Sequence, residues 1–226
     1  MVRQGFGGLL RDDQWEALVS SGSRRVHRAS ASIMGQGDRV DSVHVLEGGD
    51  VKVSVLLSDG TEALMAMRGP GEVLGEMSVL SGLPRTATVR VARGSCTTYV
   101  ISGDRFRSLV RSMRLERLLW EHIVRRQQES ESLRTEMAKL GSRRRLAETM
   151  LRLAGPAAPP GDGTVELHLT QREIGEAVGR SLSWVQTEIR RLREAGVVST
   201  ERGKVLIHGA DRLRGALADE PGGRND

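Results

Sequence analysis

Cysteine occurs once, at Cys96. A lone thiol excludes a disulfide within the chain, and it excludes an all-cysteine zinc or iron–sulfur site. Long apolar runs are missing too. None approaches the roughly 18 residues that cross a bilayer, so no membrane association is expected. The opening residues, Met1-Val2-Arg3-Gln4-Gly5-Phe6, lack the apolar region of a secretory signal. A cytoplasmic location is the expectation. Lysine is confined to Lys52, Lys139 and Lys204. Arginine therefore carries almost all the positive charge, which suits phosphate reading and equally fits a bias in coding composition. Catalytic signatures are also wanting. We find no paired carboxylates in a convincing context, no P-loop, no Ser/His/Asp order and no metal-ligand spacing. Neither an enzyme nor a bound metal is expected. His27 and His44 read as ordinary surface or core histidines, and His122, His168 and His208 as helix or strand residues.

What is present is enough for two small domains: 226 residues, 38% hydrophobic and 28% charged, with a formal charge of +5 that tilts the chain toward an anionic partner. One helix is expected around Trp15, Ala17, Leu18 and Val19. Short alternating segments follow. Val43 and Val45, then Val51, Val53 and Val55, then Leu64 to Met67, then Ala87, Val89 and Val91, then Thr97 to Ile101 read as strands. Glycine-containing turns separate them, at 35–38, 48–50, 58–60 and 69–71. Many short strands with such turns imply a small antiparallel barrel or roll. A helical pattern begins at Asp104 and runs to Met113.

The most informative stretch is Gly75-Glu76-Met77-Ser78-Val79-Leu80-Ser81-Gly82-Leu83-Pro84-Arg85-Thr86-Ala87-Thr88-Val89. Gly75 allows the backbone close to a ligand. The residues after it can form one helical turn with free N–H groups for an anion. Arg85 brings a planar, permanently charged fork suited to phosphate. Glu76 would repel a phosphate but accepts from a sugar hydroxyl. The alternative is a surface turn with an incidental Glu–Arg pair. As a whole the run resembles the phosphate-binding cassette of cyclic-nucleotide-binding domains. The resemblance implies that Glu76 takes the ribose 2′-hydroxyl and Arg85 the cyclic phosphate. Backbone N–H groups at Met77 and Ser78, and the Thr86 hydroxyl, would assist.

From Leu115 to Leu140 one long helix is expected, uninterrupted by Gly or Pro until Gly141. Leu115, Leu119, His122, Arg126, Ser130, Leu133, Met137 and Leu140 recur at three- and four-residue steps, as in a coiled-coil seam with a polar middle. The competing reading is a helix packed on its own domain. Ser142 is expected to cap a helix from Arg143 to Ala154. A loop at 155–163 and a short strand through Val165, Leu167 and Leu169 follow.

Thr170-Gln171-Arg172-Glu173 is a capping box. Ile174, Ala177 and Val178 give its helix an inner face, Gly179 allows a tight turn, and Ser181 caps a second helix. With Val185, Ile189 and Leu192 inward, that second helix exposes Ser183, Gln186, Thr187 and Arg190. Two helices across a short Gly turn make a helix-turn-helix, and residues 197–207 read as a β-hairpin wing. This half, with L-T-Q-R-E-I-G-E-A-V-G-R-S, resembles the DNA-binding domain of the Crp/Fnr (catabolite activator) family, and the order of parts matches over roughly residues 25–208. The resemblance implies that the long helix pairs with its dimer mate and lays Ser130 and Glu131 near the base. It also implies that the second helix enters the major groove, with Gln186 and the hydroxyls at base edges and Thr170, Arg180 and Ser181 on phosphates. Two departures stand out. Leu182-Ser183 and Thr187 replace residues that are charged in well-known members, so a different operator is expected. Ser130-Glu131 replaces a Thr-Ser pair, which weakens the choice of base.

The expected fold class is α+β, with a β-roll at 1–112, a dimerisation helix at 113–140, a winged helix-turn-helix at 141–215 and a disordered tail at 216–226. The expected function is a homodimeric regulator of transcription. It binds double-stranded DNA, contacts RNA polymerase and is controlled by a cyclic nucleotide, with cyclic AMP favoured and cyclic GMP admitted. The alternative is a regulator of the same family that answers another ligand or none.

Overall fold

Alternation puts one strand face inward, and the N-terminal half of the chain is built on that rule. The computed structural model describes residues 3–58, 60–154 and 163–218, and within them only the backbone of 129–130 and 132–138. The chain divides into two compact units, Met1–Ser58 with Met65–Ser132, and Asp59–Leu64 with Leu133–Asp226.

Through the N-terminal part of the chain, helices α1 (Gly5–Gly8) and α2 (Asp12–Ser20) precede the strands β1 (Ser23–Arg28), β2 (Ser32–Met34), β3 (Ser42–Gly48), β4 (Val51–Leu56), β5 (Glu62–Arg68) and β6 (Val73–Leu74). Helix α3 (Glu76–Ser81) leads to β7 (Thr88–Val91), β8 (Ser95–Ser102), α4 (Gly103–Ser112) and α5 (Glu116–Lys139). The strands form two four-stranded sheets, ordered β1-β8-β3-β6 and β2-β7-β4-β5.

β3 serves two cores because its faces alternate. Val43 and Val45 join Phe6, Leu18, Ile101, Phe106, Leu115 and Leu119. Leu46 points the other way, to Met34, Val51, Leu74, Val89, Val91 and Cys96. That second cluster draws on both sheets and is the interior of the expected roll. Three strands and one helix escaped the periodicity argument. β1 is an almost wholly exposed edge, β2 and β6 span three and two residues, and α1 is four residues of Gly-Phe-Gly-Gly.

The seam read along α5 is corrected in its first half. Leu115, Leu119 and His122 are buried, the two leucines within the core of their own unit, and the exposed apolar residues are instead Trp120 and Val124, at 58% and 49%. The side chains of Ser130, Leu133 and Met137 lie outside the described residues.

The second unit contains α6 (Ser142–Leu153), β9 (Thr164–Leu167), α7 (Gln171–Val178), α8 (Leu182–Glu194), β10 (Val198–Glu201), β11 (Lys204–His208) and α9 (Ala210–Ala216). A three-stranded sheet, β10-β11-β9, carries the wing. Its turn is tied by Lys204, which pairs with Glu166 and Glu201 at 3.0 and 3.1 Å. Two expectations shift here. Gly141, not Ser142, is the N-cap of α6, and the Ser142 hydroxyl accepts a hydrogen bond from Arg180. The chain also stays ordered past the wing: α9 buries Leu213, Leu217 follows it inward, and Arg214 reaches Glu148 of α6 at 3.0 Å. The expected tail is therefore helical at Ala216. Residues 155–162 of the expected loop at 155–163, and the tail from 219, lie outside the described residues.

Phe106 is fully buried where α4 meets the first sheet. Phe106→Ala is expected to lower the unfolding free energy by about 3–5 kcal/mol, read from urea denaturation.

Candidate functional site

Gly75 opens α3 in the left-handed region, at φ 86°. Space demands glycine as much as dihedral preference does: a Cβ there would lie 2.1 Å from Arg85 Nη1. Arg85 is 4% exposed. Its Nη1 donates to the Gly75 carbonyl at 2.7 Å, its Nη2 donates to the Ser42 carbonyl, and its Nε is buried without a partner. The backbone fixes where this side chain starts, since Arg85 N–H donates to Asp38 O at 2.9 Å and Gly37 N–H to Arg85 O at 2.8 Å. The cradle is closed at its other end by Ser78, whose hydroxyl donates to the Pro84 carbonyl at 3.3 Å. Arg107 of α4 holds the helix from behind, donating to Val79 O at 2.9 Å while it pairs with Asp41. Met77 is 41% exposed and Thr86 is exposed.

Glu76 is 3% exposed, and burial pushes its carboxyl pKa up, opposed chiefly by Arg126. Arg126 of α5 lies 3.3 Å from Glu76 Oε1 and 3.8 Å from Glu72 Oε2. Glu72 in turn faces Arg68 at 3.6 Å and His122 Nε2 at 3.9 Å. Its Oε2 and the Nε2 of His122 are both buried without a hydrogen bond. The ring of Phe6 packs 6.0 Å from that of His122. Burial first, then Arg126, Arg68 and Arg125, hold His122 at a pKa of about 4. Glu72, His122 and Arg126 escaped the sequence reading as a cluster with Glu76; the polar middle of the α5 pattern was the one sign of it.

The roll interior is polar beside Arg85. His44 shares a strand face with Leu46, and His27 reaches Thr98 Oγ1 at 2.9 Å. The two rings lie 6.4 Å apart. Burial, then Arg85 and His27, lower His44 to a pKa of about 4, and its Nδ1 is buried without a partner. The orphaned donor of Arg85 and this ring nitrogen give an anionic, hydroxyl-bearing ligand somewhere to bind. Glu131 is exposed and accepts from Gln127 at 3.0 Å. Cys96 is buried, its thiol pushed up to about 11 chiefly by that burial. Among the described residues no three His, Cys, Asp or Glu side chains gather as metal ligands, and no helix is long and apolar enough to cross a membrane.

In the second unit the capping box forms as expected: Thr170 Oγ1 accepts from Glu173 N–H at 3.3 Å and Glu173 Oε2 accepts from Thr170 N–H at 2.8 Å. The box consumes much of the Thr170 hydroxyl, which donates to Glu173 as well. Ser181 caps α8 by accepting from Trp184 N–H at 3.3 Å. Val185, Ile189 and Leu192 are buried, while Ser183, Gln186 and Arg190 are exposed. Thr187 is half-buried, and its hydroxyl donates back to Ser183 O at 3.1 Å. Arg180 lies over the Trp184 ring at 5.8 Å. Glu188, only 5% exposed, pairs with Arg143 of α6 and with Arg191, each at 3.2 Å, so an ion pair joins α8 to α6. Helical periodicity offered no sign of that pair.

A roll with a phosphate-type cradle, followed by a winged helix-turn-helix, defines a ligand-binding class of DNA-binding regulator. A family model for cyclic nucleotide-binding domains matches residues 24–113, and one for Crp-like helix-turn-helix domains matches 144–216. The chain belongs to the Crp/Fnr family of transcription regulators. It is 26% identical over 211 residues to the cAMP-activated global transcriptional regulator CRP of Salmonella typhimurium, covering 90% of this chain and 98% of that one. It is 24% identical over 185 residues to a CRP-like cAMP-activated regulator of Mycobacterium tuberculosis, covering 80% and 82%. In fold it is similar to the c-di-GMP responsive global regulator CLP of Xanthomonas campestris, with a TM-score of 0.73 at 20% identity, covering 88% and 100%. It is similar also to FixK2 of Bradyrhizobium japonicum, with a TM-score of 0.69 at 18% identity, covering 88% and 98%.

The depressed pKa of His122 has a pH consequence. Below its ordinary value near 6.5 the unfolded chain takes up a proton that the folded ring refuses until about 4, so this residue subtracts stability as pH falls through that window. The raised Glu76 carboxyl works in the opposite direction. His122→Gln removes only the first effect. Comparing urea midpoints at about pH 7.5 and about pH 5 should show a smaller acid-side loss in the variant than in the parent.

Proposed function

We propose that this chain regulates transcription as a homodimer whose operator affinity is set by a cyclic nucleotide held in the roll, with cyclic AMP favoured and cyclic GMP admitted. The observation that carries this reading is the contact of Arg126 with Glu76 at 3.3 Å, which ties α5 to the cradle. The ribose hydroxyl would donate to Glu76, in competition with Arg126. The cyclic phosphate would take Arg85, whose Nε is unpartnered, together with N–H groups of Gly75 to Ser78. Thr86, Ser130 and Glu131 are the further residues proposed for the ligand.

A nucleotide that displaces Arg126 from Glu76 changes what holds α5 and so favours one arrangement of that helix over another. It shifts the equilibrium only by its differential affinity for the two arrangements. Trp120 and Val124, one turn apart and exposed, supply an apolar stripe on which a second copy would pack. The DNA contacts fall to α8 and its surroundings: Ser183, Gln186, Thr187 and Arg190 toward the groove, and Thr170, Arg180 and Ser181 toward phosphates. A cytoplasmic protein that also touches RNA polymerase completes the reading.

One observation favours a second reading, a regulator of the same family that answers another ligand or none. Arg85 already satisfies two donors on the Gly75 and Ser42 carbonyls, so the cradle closes on itself without an anion. The similar CLP fold is that of a c-di-GMP responsive protein.

Isothermal titration with cyclic AMP and cyclic GMP, beside Arg85→Ala, separates the two. The first reading expects binding by the parent, a loss of at least about tenfold in Arg85→Ala from a missing charge-assisted contact, and tighter operator binding at saturating nucleotide. Silence with both nucleotides selects the second. A monomeric mass at micromolar concentration would remove the dimer from either.

A further inference from the structure

The exposed face of α8 carries a residue that its polar pattern conceals. Leu182 is the first residue of this thirteen-residue helix and is 37% exposed. An apolar side chain at that place faces water in the free protein. The hydroxyls around it are largely committed. Ser181 caps the helix and shares a hydrogen bond with Ser183 at 3.0 Å, and Thr187 donates its only proton to Ser183 O. On the same face, one turn on, Gln186 is exposed. Beside the exposed Arg190, that leaves Leu182 and Gln186 as side chains free to tell base pairs apart.

Their chemistries converge on one base pair type. In the major groove an A·T pair offers adenine N7 and N6–H₂, which match both ends of a Gln amide, and a thymine C5-methyl, which matches an apolar side chain. A G·C pair offers two acceptors on guanine and a donor on cytosine. Against Leu182 those groups would be desolvated without partners, so the leucine disfavours G·C as well as favouring A·T. Residues four apart on a helix stand about 6 Å apart along its axis, one to two base steps of about 3.4 Å.

We propose that Leu182 is a specificity-determining residue that reads a thymine methyl group in the major groove, one or two base pairs from an adenine read by Gln186. The proposal rests on α8 being the DNA-recognition helix. It is independent of which nucleotide, if any, occupies the roll.

The test starts with selection of binding sites from random duplex DNA by the full-length protein, with and without cyclic AMP. Each thymine of the selected half-site is then replaced in turn by uracil, which removes the methyl group and nothing else. At one thymine per half-site, the parent should bind the uracil duplex about fourfold more weakly, the worth of one buried methyl. Leu182→Ala should bind thymine and uracil duplexes alike, at the level of the parent on uracil, and it should keep the parent's salt dependence because its phosphate contacts are intact. Gln186→Ala should relax the adenine preference and leave the uracil effect in place. The proposal is overturned if the parent tolerates uracil at every position, or if Leu182→Ala loses affinity equally on both duplexes while uracil still weakens it fourfold. Failure to enrich any sequence would instead overturn the assignment of α8 itself, and this reading with it.

Discussion

A carboxylate as buried as Glu76 cannot stay charged beside a second carboxylate unless a cation reaches it. In this chain the cation is Arg126, which arrives from α5 and lies within 4 Å of both Glu76 and Glu72. Two neighbouring elements, the turn before β6 and the first turn of α3, therefore depend on one guanidinium from the middle of α5, 50 positions on from Glu76. His122 and Arg68 complete the cluster, and the neutral ring of His122 avoids adding a further buried charge. Such an ion network contributes little net stability once desolvation is counted. Its effect is positional, because moving α5 would leave a buried carboxylate without its partner.

Arg85 obeys a different economy. Its guanidinium is buried, but it is held by two backbone carbonyls rather than by a carboxylate. This orients the fork and leaves its Nε buried without a partner. Gly75 makes the arrangement sterically possible, since any Cβ would occupy the space of Arg85 Nη1. In the second unit, Glu188 plays the part that Glu76 plays in the first. It is a buried carboxylate answered by arginines, and it fastens α8 to α6. Each unit thus joins one of its helices to a neighbouring element through a buried acid.

Much of this was legible in the sequence wherever a local rule acts. The alternation at Val43 to Val55 marked the strands β3 and β4, and the capping box at Thr170 and the Ser181 cap marked the starts of α7 and α8 to the residue. The glycine at 75 and the arginine at 85 marked the cradle. Elements that break or lack a period were not legible. β1 is charged and exposed, β6 spans two residues, and α9 follows the wing with no cap from its own side chains. The helix seam was misjudged in its first half because a three-and-four-residue repeat says that a helix has a buried face, not what buries it. Leu115 and Leu119 turn into their own unit, which leaves Trp120 and Val124 outside.

The sequence by itself determined the order of the parts and the chemistry of the cradle, because turns, caps, alternation and a Gly–Glu…Arg spacing are local and each residue type carries its own constraint. Only the tertiary structure decided which polar and charged groups meet. The pairing of Arg126 with Glu76 and Glu72, of Glu188 with Arg143, and of Arg180 with Ser142 spans 38 to 54 positions in the chain. No periodicity encodes such distances. They arise when packing of the apolar faces brings the elements together, and burial then makes each unpaired charge too costly to leave alone.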